Sequence, residues 1–138
     1  MIFIIKNFAS YFSISLLSTL IFIWYLQFKS YPGGAVGMAP LIIIINCIIA
    51  TSISLTTVQI IKLIVKKELS LIKSNYIFTL VYTLTMFLYF GSNPFENYDN
   101  EITKNVVIWS YFSEIITLII INIILLIIKT SHNNSLAK

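Results

Sequence analysis

The sequence predicts an all-α integral membrane protein with four transmembrane helices in two antiparallel hairpins. Of the 138 residues, 58% are hydrophobic and only 10% are charged, whereas soluble domains are about 45–50% apolar and about 25% charged. The apolar residues fall into four long stretches, and a spanning helix needs about 17–25 residues. Too little polar surface remains to cover a water-soluble globule, so lipid must solvate most of the chain.

The first helix is expected over about residues 8–28. Lys6 precedes it as in a signal peptide, but the apolar part exceeds the roughly 7–15 residues of a signal core, and no small-x-small cleavage site follows directly. Pro32, Gly33 and Gly34 predict a tight turn. The second helix is expected over about 37–61, and so short a connection makes the two helices an antiparallel hairpin.

A basic connector, Lys62–Lys73, follows and holds four of the nine lysines. In a continuous helix, Lys62, Lys66 and Lys73 lie within about 40° of one another. We therefore expect the second helix to continue past the hydrocarbon and to lie against the headgroups as a basic segment. Lys62, Lys66, Lys67 and Lys73 are the candidate docking residues for anionic lipid or a soluble cytoplasmic protein, although the connector could serve only to set the topology.

The third helix is expected over about residues 75–91 and is short and aromatic. Gly91 and Pro94 are predicted to end this helix. Gly91 can take the left-handed conformation of a helix cap, and Pro94 cannot continue the helix. The next loop carries Glu96, Asp99 and Glu101, but their spacing does not match a calcium-binding EF-hand. We therefore expect a solvated loop.

The fourth helix is expected over about residues 106–128. Residues 1–128 thus form one transmembrane domain, and residues 129–138 form a polar cytoplasmic tail without regular structure.

The lysines also predict the orientation. Four spans place seven of the nine on the side of the termini and the connector, and only Lys29 and Lys104 on the other side. Cytoplasmic loops of membrane proteins carry the excess of basic residues. We therefore expect both termini in the cytoplasm, in a bacterial inner membrane.

Glu114 is the main candidate for a functional residue. It lies about 12 Å into the fourth helix at 1.5 Å per residue, where an ionised carboxylate costs roughly 2.5 kcal/mol or more. Ser110 and Thr117 put polar groups on the same stripe of the helix. Glu114 is either protonated and hydrogen-bonded or faces water. It serves as an ion or proton site, such as a ring of carboxylates in an oligomer, or it joins helices by hydrogen bonds.

Asn46 and Asn122 are the other two interior amides. We expect them to form interhelical hydrogen bonds, with a role as functional gates as the alternative. The interior polar groups are more than one bundle of this size readily satisfies, which predicts a homo-oligomer.

The sequence lacks the residues that several classes of function require. The single histidine, His132, and the single cysteine, Cys47, cannot form a catalytic set, and no glycine-rich phosphate loop is present. We expect no enzyme, no cofactor and no metal, and Cys47 is expected to be a small buried apolar group. Arginine is absent, which argues against direct nucleic-acid binding.

A short, lysine-rich chain with four spans, a small acidic outer loop and a basic inner connector resembles the membrane subunit KwaA of Kiwa anti-phage defence systems. The resemblance covers the whole chain by layout, without a residue motif, so it carries over no functional residue. It implies an oligomeric, non-enzymatic inner-membrane subunit that works with a soluble cytoplasmic partner acting on DNA. A small ion channel or carrier using Glu114, and an immunity protein against a membrane-acting toxin, are the alternatives.

Overall fold

The computed structural model describes residues 2–29, 31 and 35–136. Within these ranges the chain forms four α-helices and no strand: α1 (Ile2–Lys29), α2 (Ala35–Val65), α3 (Leu71–Leu88) and α4 (Glu101–Leu136). Each helix is long and apolar enough to cross a membrane. The prediction of an all-helical protein with four such helices is confirmed for this part of the chain. The turn predicted at Pro32, Gly33 and Gly34 lies outside it.

The helices pack into a bundle in which α1 and α3 each lie against both α2 and α4. The most extensive contacts join α1 to α4 and α2 to α3. Aromatic rings stack between helices: Tyr11 stacks on Phe78 at 4.9 Å between ring centroids, and Tyr25 stacks on Trp109 at 4.2 Å. Large apolar side chains cover the outer faces of all four helices, as expected where lipid is the solvent.

The expected continuation of α2 through the connector is wrong. The helix ends at Val65, and Lys66 has a φ of 53°, a left-handed conformation that cannot continue an α-helix. The chain resumes a helix after Ser70, whose side-chain oxygen accepts a hydrogen bond from the Lys73 amide. This N-cap starts α3 at Leu71, four residues before the expected residue 75.

Both ends of α4 differ from the expectation. The helix begins at Glu101 rather than near residue 106, because the Asn100 side chain accepts a hydrogen bond from the Ile102 amide at 2.8 Å. It continues to Leu136, so the expectation of an irregular tail from residue 129 is wrong over those residues. A helix of this length spans about 54 Å and extends beyond a hydrocarbon core of about 30 Å.

Two smaller boundary differences complete the comparison. α1 begins at Ile2, and Lys6 lies inside the helix rather than before it. α3 ends at Leu88, three residues before the expected end. The predicted left-handed glycine is confirmed, since Gly91 has a φ of 62°, and the next amide, that of Ser92, bonds back to the Met86 carbonyl at 3.2 Å.

Candidate functional site

The Glu114 carboxyl lies inside the bundle and is 1% exposed. The Thr79 hydroxyl donates a hydrogen bond to its Oε1 atom at 3.3 Å. Within the described residues, Oε2 has no hydrogen-bond partner. The one ion pair of this part of the chain joins Lys62 to Glu68, so no lysine there neutralises Glu114. The residue is therefore a buried carboxyl that makes one long hydrogen bond.

Side chains of α1 and α3 lie beside this carboxyl. They are Ser18 of α1 and Thr79 of α3. The Ser18 hydroxyl makes its own hydrogen bond with Ser113 at 3.3 Å. Glu114 thus lies between α1 and α3 inside the bundle.

Ser110 and Thr117 are buried on the same stripe of α4 as predicted. Their hydroxyls do not bond to Glu114, because each donates to a carbonyl of its own helix. Ser110 bonds to the Val107 carbonyl at 2.6 Å, and Thr117 bonds to the Ser113 carbonyl at 2.7 Å. These two residues make the stripe polar, but neither forms a hydrogen bond with the Glu114 carboxyl.

A layer of amides lies on the connector side of Glu114. Asn75 accepts a hydrogen bond from the Ser10 hydroxyl at 2.7 Å and donates one to Asn122 at 2.9 Å. The Tyr11 and Ser74 hydroxyls are hydrogen-bonded to each other beside this layer. Asn122 therefore makes an interhelical bond as predicted, and the layer joins α1, α3 and α4.

Asn46 lies on the opposite side of Glu114 and also makes an interhelical bond as predicted. Its Nδ2 atom donates to the Tyr82 carbonyl at 3.1 Å, while its Oδ1 atom is buried with no partner in the described residues. The Tyr82 hydroxyl donates to the Ser110 carbonyl at 3.4 Å. These contacts join α2, α3 and α4.

Sequence reasoning missed Ser10, Asn75 and Tyr82. Asn75 lies at the expected start of the third helix, where an asparagine side chain ordinarily caps the helix. The available signal was the spacing of Asn75, Phe78 and Tyr82, which follows the three-to-four-residue period of one helix face. All three side chains are fully buried.

A cleft of about 180 Å³ enters the bundle from the end that carries residues 92 and 103. Side chains of all four helices line it, including Phe22, Ile43, Met86 and Ser110. We call it the Ser110 cleft. It brings open space to the α4 residue that lies one helical turn before Glu114.

A groove of about 540 Å³ lies between α1 and α2. Its walls are apolar, and small or hydroxyl side chains line it as well: Ser15, Thr19, Cys47, Thr51 and Ser52. Cys47 is 4% exposed, which confirms the prediction of a small buried group.

The four candidate docking lysines do not share one face, because the helix ends before Lys66. Lys62 forms an ion pair with Glu68 at 2.7 Å and lies over the Phe3 ring at 4.8 Å. Lys66, Lys67 and Lys73 are exposed and make no ion pair in the described part of the chain. The connector therefore presents three uncompensated cations, with Lys66 and Lys67 in the segment between the helices and Lys73 in the first turn of α3.

No protein family, curated protein or solved structure matches this chain.

Proposed function

We propose that the protein is a non-enzymatic, multi-pass protein of the bacterial inner membrane, with two antiparallel hairpins and both termini in the cytoplasm. The support is the distribution of lysine, with seven on the side of the termini and connector and two on the other. An excess of basic residues marks the cytoplasmic side of membrane proteins.

We propose further that the protein is a small channel or carrier in which Glu114 binds a proton or a small cation. The observation that carries this proposal is the Oε2 atom, which is buried without a hydrogen-bond partner. Placing a charge at the centre of a membrane costs about 2.5–3.5 kcal/mol, and such residues mark ion and proton pathways.

The polar groups on either side of Glu114 support a pathway along the bundle. Asn75 and Asn122 lie towards the connector, and Asn46 and Ser110 lie towards the Ser110 cleft. Polar groups that follow one another at successive depths give a proton or a desolvated cation partners between the two ends.

Flux in liposomes tests this function. Purified protein is reconstituted, and proton, sodium and potassium movement is followed under an imposed gradient. Wild-type protein is expected to conduct one of these ions, and Glu114→Gln is expected to abolish the flux while the protein stays folded. Glu96→Gln is the matched control, because it makes the same chemical change at an exposed loop position. Wild-type protein that moves none of these ions contradicts the proposal.

A second function is favoured by Lys66, Lys67 and Lys73, whose charges are exposed and uncompensated. It is a membrane subunit that oligomerises and docks anionic lipid or a soluble cytoplasmic partner at the connector. Each lysine near an anionic surface contributes about 1 kcal/mol. Replacement of the three by Gln should reduce the number of phosphatidylglycerol molecules retained in native mass spectrometry. Lys29→Gln with Lys104→Gln is the control, and equal losses in both proteins would reject docking at the connector.

Experiments in cells can distinguish a subunit of an anti-phage system from an immunity protein. A subunit of an anti-phage system should lower the plating efficiency of phage, and the triple Gln variant should lose that protection. An immunity protein should protect against a membrane-acting toxin while leaving phage plating unchanged. A strain that carries the gene but shows neither protection would remove both roles.

We also propose that the protein is a homo-oligomer. The groove between α1 and α2 supports this, because the small side chains Ser15, Cys47 and Ser52 allow another helix to approach closely in a membrane. Native mass spectrometry in mild detergent should show the oligomer. Monomer at every concentration would count against it.

A further inference from the structure

Tyr82 lies between the Ser110 cleft and Glu114. On α3, Met86 one turn beyond Tyr82 lines the cleft, and Thr79 one turn before it bonds to the Glu114 carboxyl. On α4, Ser110 lines the cleft and precedes Glu114 by one turn. The Tyr82 ring is fully buried, and its hydroxyl reaches across to the Ser110 carbonyl. The side chain therefore crosses the path from the cleft to the carboxyl.

The hydrogen bond that holds the Tyr82 hydroxyl in this position is weak. Its length of 3.4 Å compares with about 2.7–2.8 Å for an ordinary bond between oxygens. The acceptor is also shared, since the Ser113 hydroxyl donates to the same Ser110 carbonyl at 3.1 Å. A helical carbonyl accepts its own backbone bond as well. Release of the Tyr82 hydroxyl therefore costs little.

Two other buried acceptors adjoin Tyr82, and neither has a partner in the described residues. One is Oδ1 of Asn46, whose Nδ2 atom bonds to the Tyr82 carbonyl. The other is Oε2 of Glu114, a carboxyl whose other oxygen bonds to Thr79, one turn before Tyr82 on α3. Release from Ser110 thus leaves the hydroxyl near two residues that offer other buried acceptors.

We infer that Tyr82 is the gate between the Ser110 cleft and the Glu114 site, closed while its hydroxyl bonds to Ser110. This inference rests on the proposed transport function for its purpose. The gate also controls whether a solute in the Ser110 cleft reaches the Glu114 site, and this access can be measured without measuring ion flux.

Thiol labelling tests the gate. In a Cys47→Ala background the protein has no cysteine, so single reporters can be introduced. Val107→Cys reports on the Ser110 cleft. Ser18→Cys reports on the fully buried position beside Glu114. A membrane-impermeant methanethiosulfonate is added to intact spheroplasts and, separately, to inverted vesicles, and the rates are read on the side from which Val107→Cys reacts.

With Tyr82 present, Val107→Cys should react readily and Ser18→Cys slowly. Tyr82→Phe keeps the ring and removes the hydrogen bond, and should speed Ser18→Cys labelling about twofold, because the bond that is lost is weaker than an ordinary one. Tyr82→Ala should speed it further, and the Phe variant decides the matter if the Ala variant does not fold. Tyr11→Phe is the matched control, because Tyr11 is equally buried and bonds to Ser74 on the connector side of Glu114.

The proposal that Tyr82 is a gate is contradicted if Ser18→Cys reacts at the same rate with Tyr and with Phe at position 82. It is also overturned if Tyr11→Phe has an effect as large as that of Tyr82→Phe. Since labelling does not depend on transport, a failure of the Glu114 flux assay leaves this result interpretable.

Discussion

Hydroxyl side chains in this protein fall into two groups according to the acceptor they use. Those on outer faces donate to carbonyls of their own helix, as Ser13, Ser52, Thr56 and Thr83 do. The half-buried hydroxyls of Ser10 and Thr79 instead donate across the bundle. The dense hydroxyls of α2 are therefore largely satisfied without a second copy. Only a few buried polar atoms without a hydrogen-bond partner in the described residues therefore still favour an oligomer.

These two groups should respond differently to mutation. Asn75→Ala removes two interhelical hydrogen bonds, to Ser10 and Asn122, and should lower the free energy of unfolding by about 1–3 kcal/mol. Thr56→Val removes only a bond within one helix on an exposed face and should change it by less than about 0.5 kcal/mol. Unfolding in mixed micelles measures both. Equal losses would show that the buried amides do not hold the bundle together.

Glu114 should contribute little to stability. It accepts one bond of 3.3 Å and leaves Oε2 without a partner, so Glu114→Leu should change the free energy of unfolding by less than about 1 kcal/mol. Asn122→Leu is the comparison, because it breaks a bond of 2.9 Å to Asn75 and should destabilise the protein. If Glu114→Leu costs about 2 kcal/mol or more, the residue serves to join helices.

At the scale of the element, the connection between α2 and α3 carries conformational strain. Lys66 adopts a φ of 53°, which costs an L-residue with a side chain about 1–2 kcal/mol and glycine almost nothing. Lys66→Gly should therefore raise the thermal midpoint in detergent. Lys67→Gly removes the same charge where φ is not positive, and should lower the midpoint or leave it unchanged. A rise in both variants would assign the effect to charge instead.

The existence of the helices could be predicted from the sequence, because long apolar stretches need no tertiary information. Their ends could not, because single side chains decide them. Ser70 caps α3 inside a segment that was predicted to continue α2, and Asn100 caps α4 inside a segment that was predicted to be a loop. The left-handed Lys66 carries no sequence signal, since glycine is the residue that usually takes this conformation.

The candidate site could be predicted only in part for a similar reason. Depth along a helix was sufficient to single out Glu114, Asn46 and Asn122. Their partners depend on which helices pack together, and α1 packs most extensively against α4 rather than against its neighbour in sequence. Ser18 and Tyr82 therefore could not be assigned to the site from spacing along one helix.

At the scale of the whole molecule, the orientation is open to a direct test. Alkaline phosphatase is active only outside the cytoplasm. A fusion at Lys138 should be inactive and a fusion within residues 97–100 should be active, because the proposed topology, which follows from the excess of lysine, places the termini and connector inside. Green fluorescent protein fusions at the same sites should give the opposite pattern. Active phosphatase at Lys138 would invert the proposed topology.

The packing of α1 against α4 also has a consequence for biosynthesis. Ser18 bonds to Ser113, 95 positions later in the chain, and ribosomes add about 5–20 residues per second. α1 thus waits roughly 5–20 s for its main partner. Asn7 and Thr19 bond to carbonyls within α1 meanwhile, which eases their exposure to lipid, whereas Ser10 and Ser18 bond only to later helices. Insertion and assembly are therefore separated in time, and α4, which leaves the ribosome after the other three helices, closes the bundle.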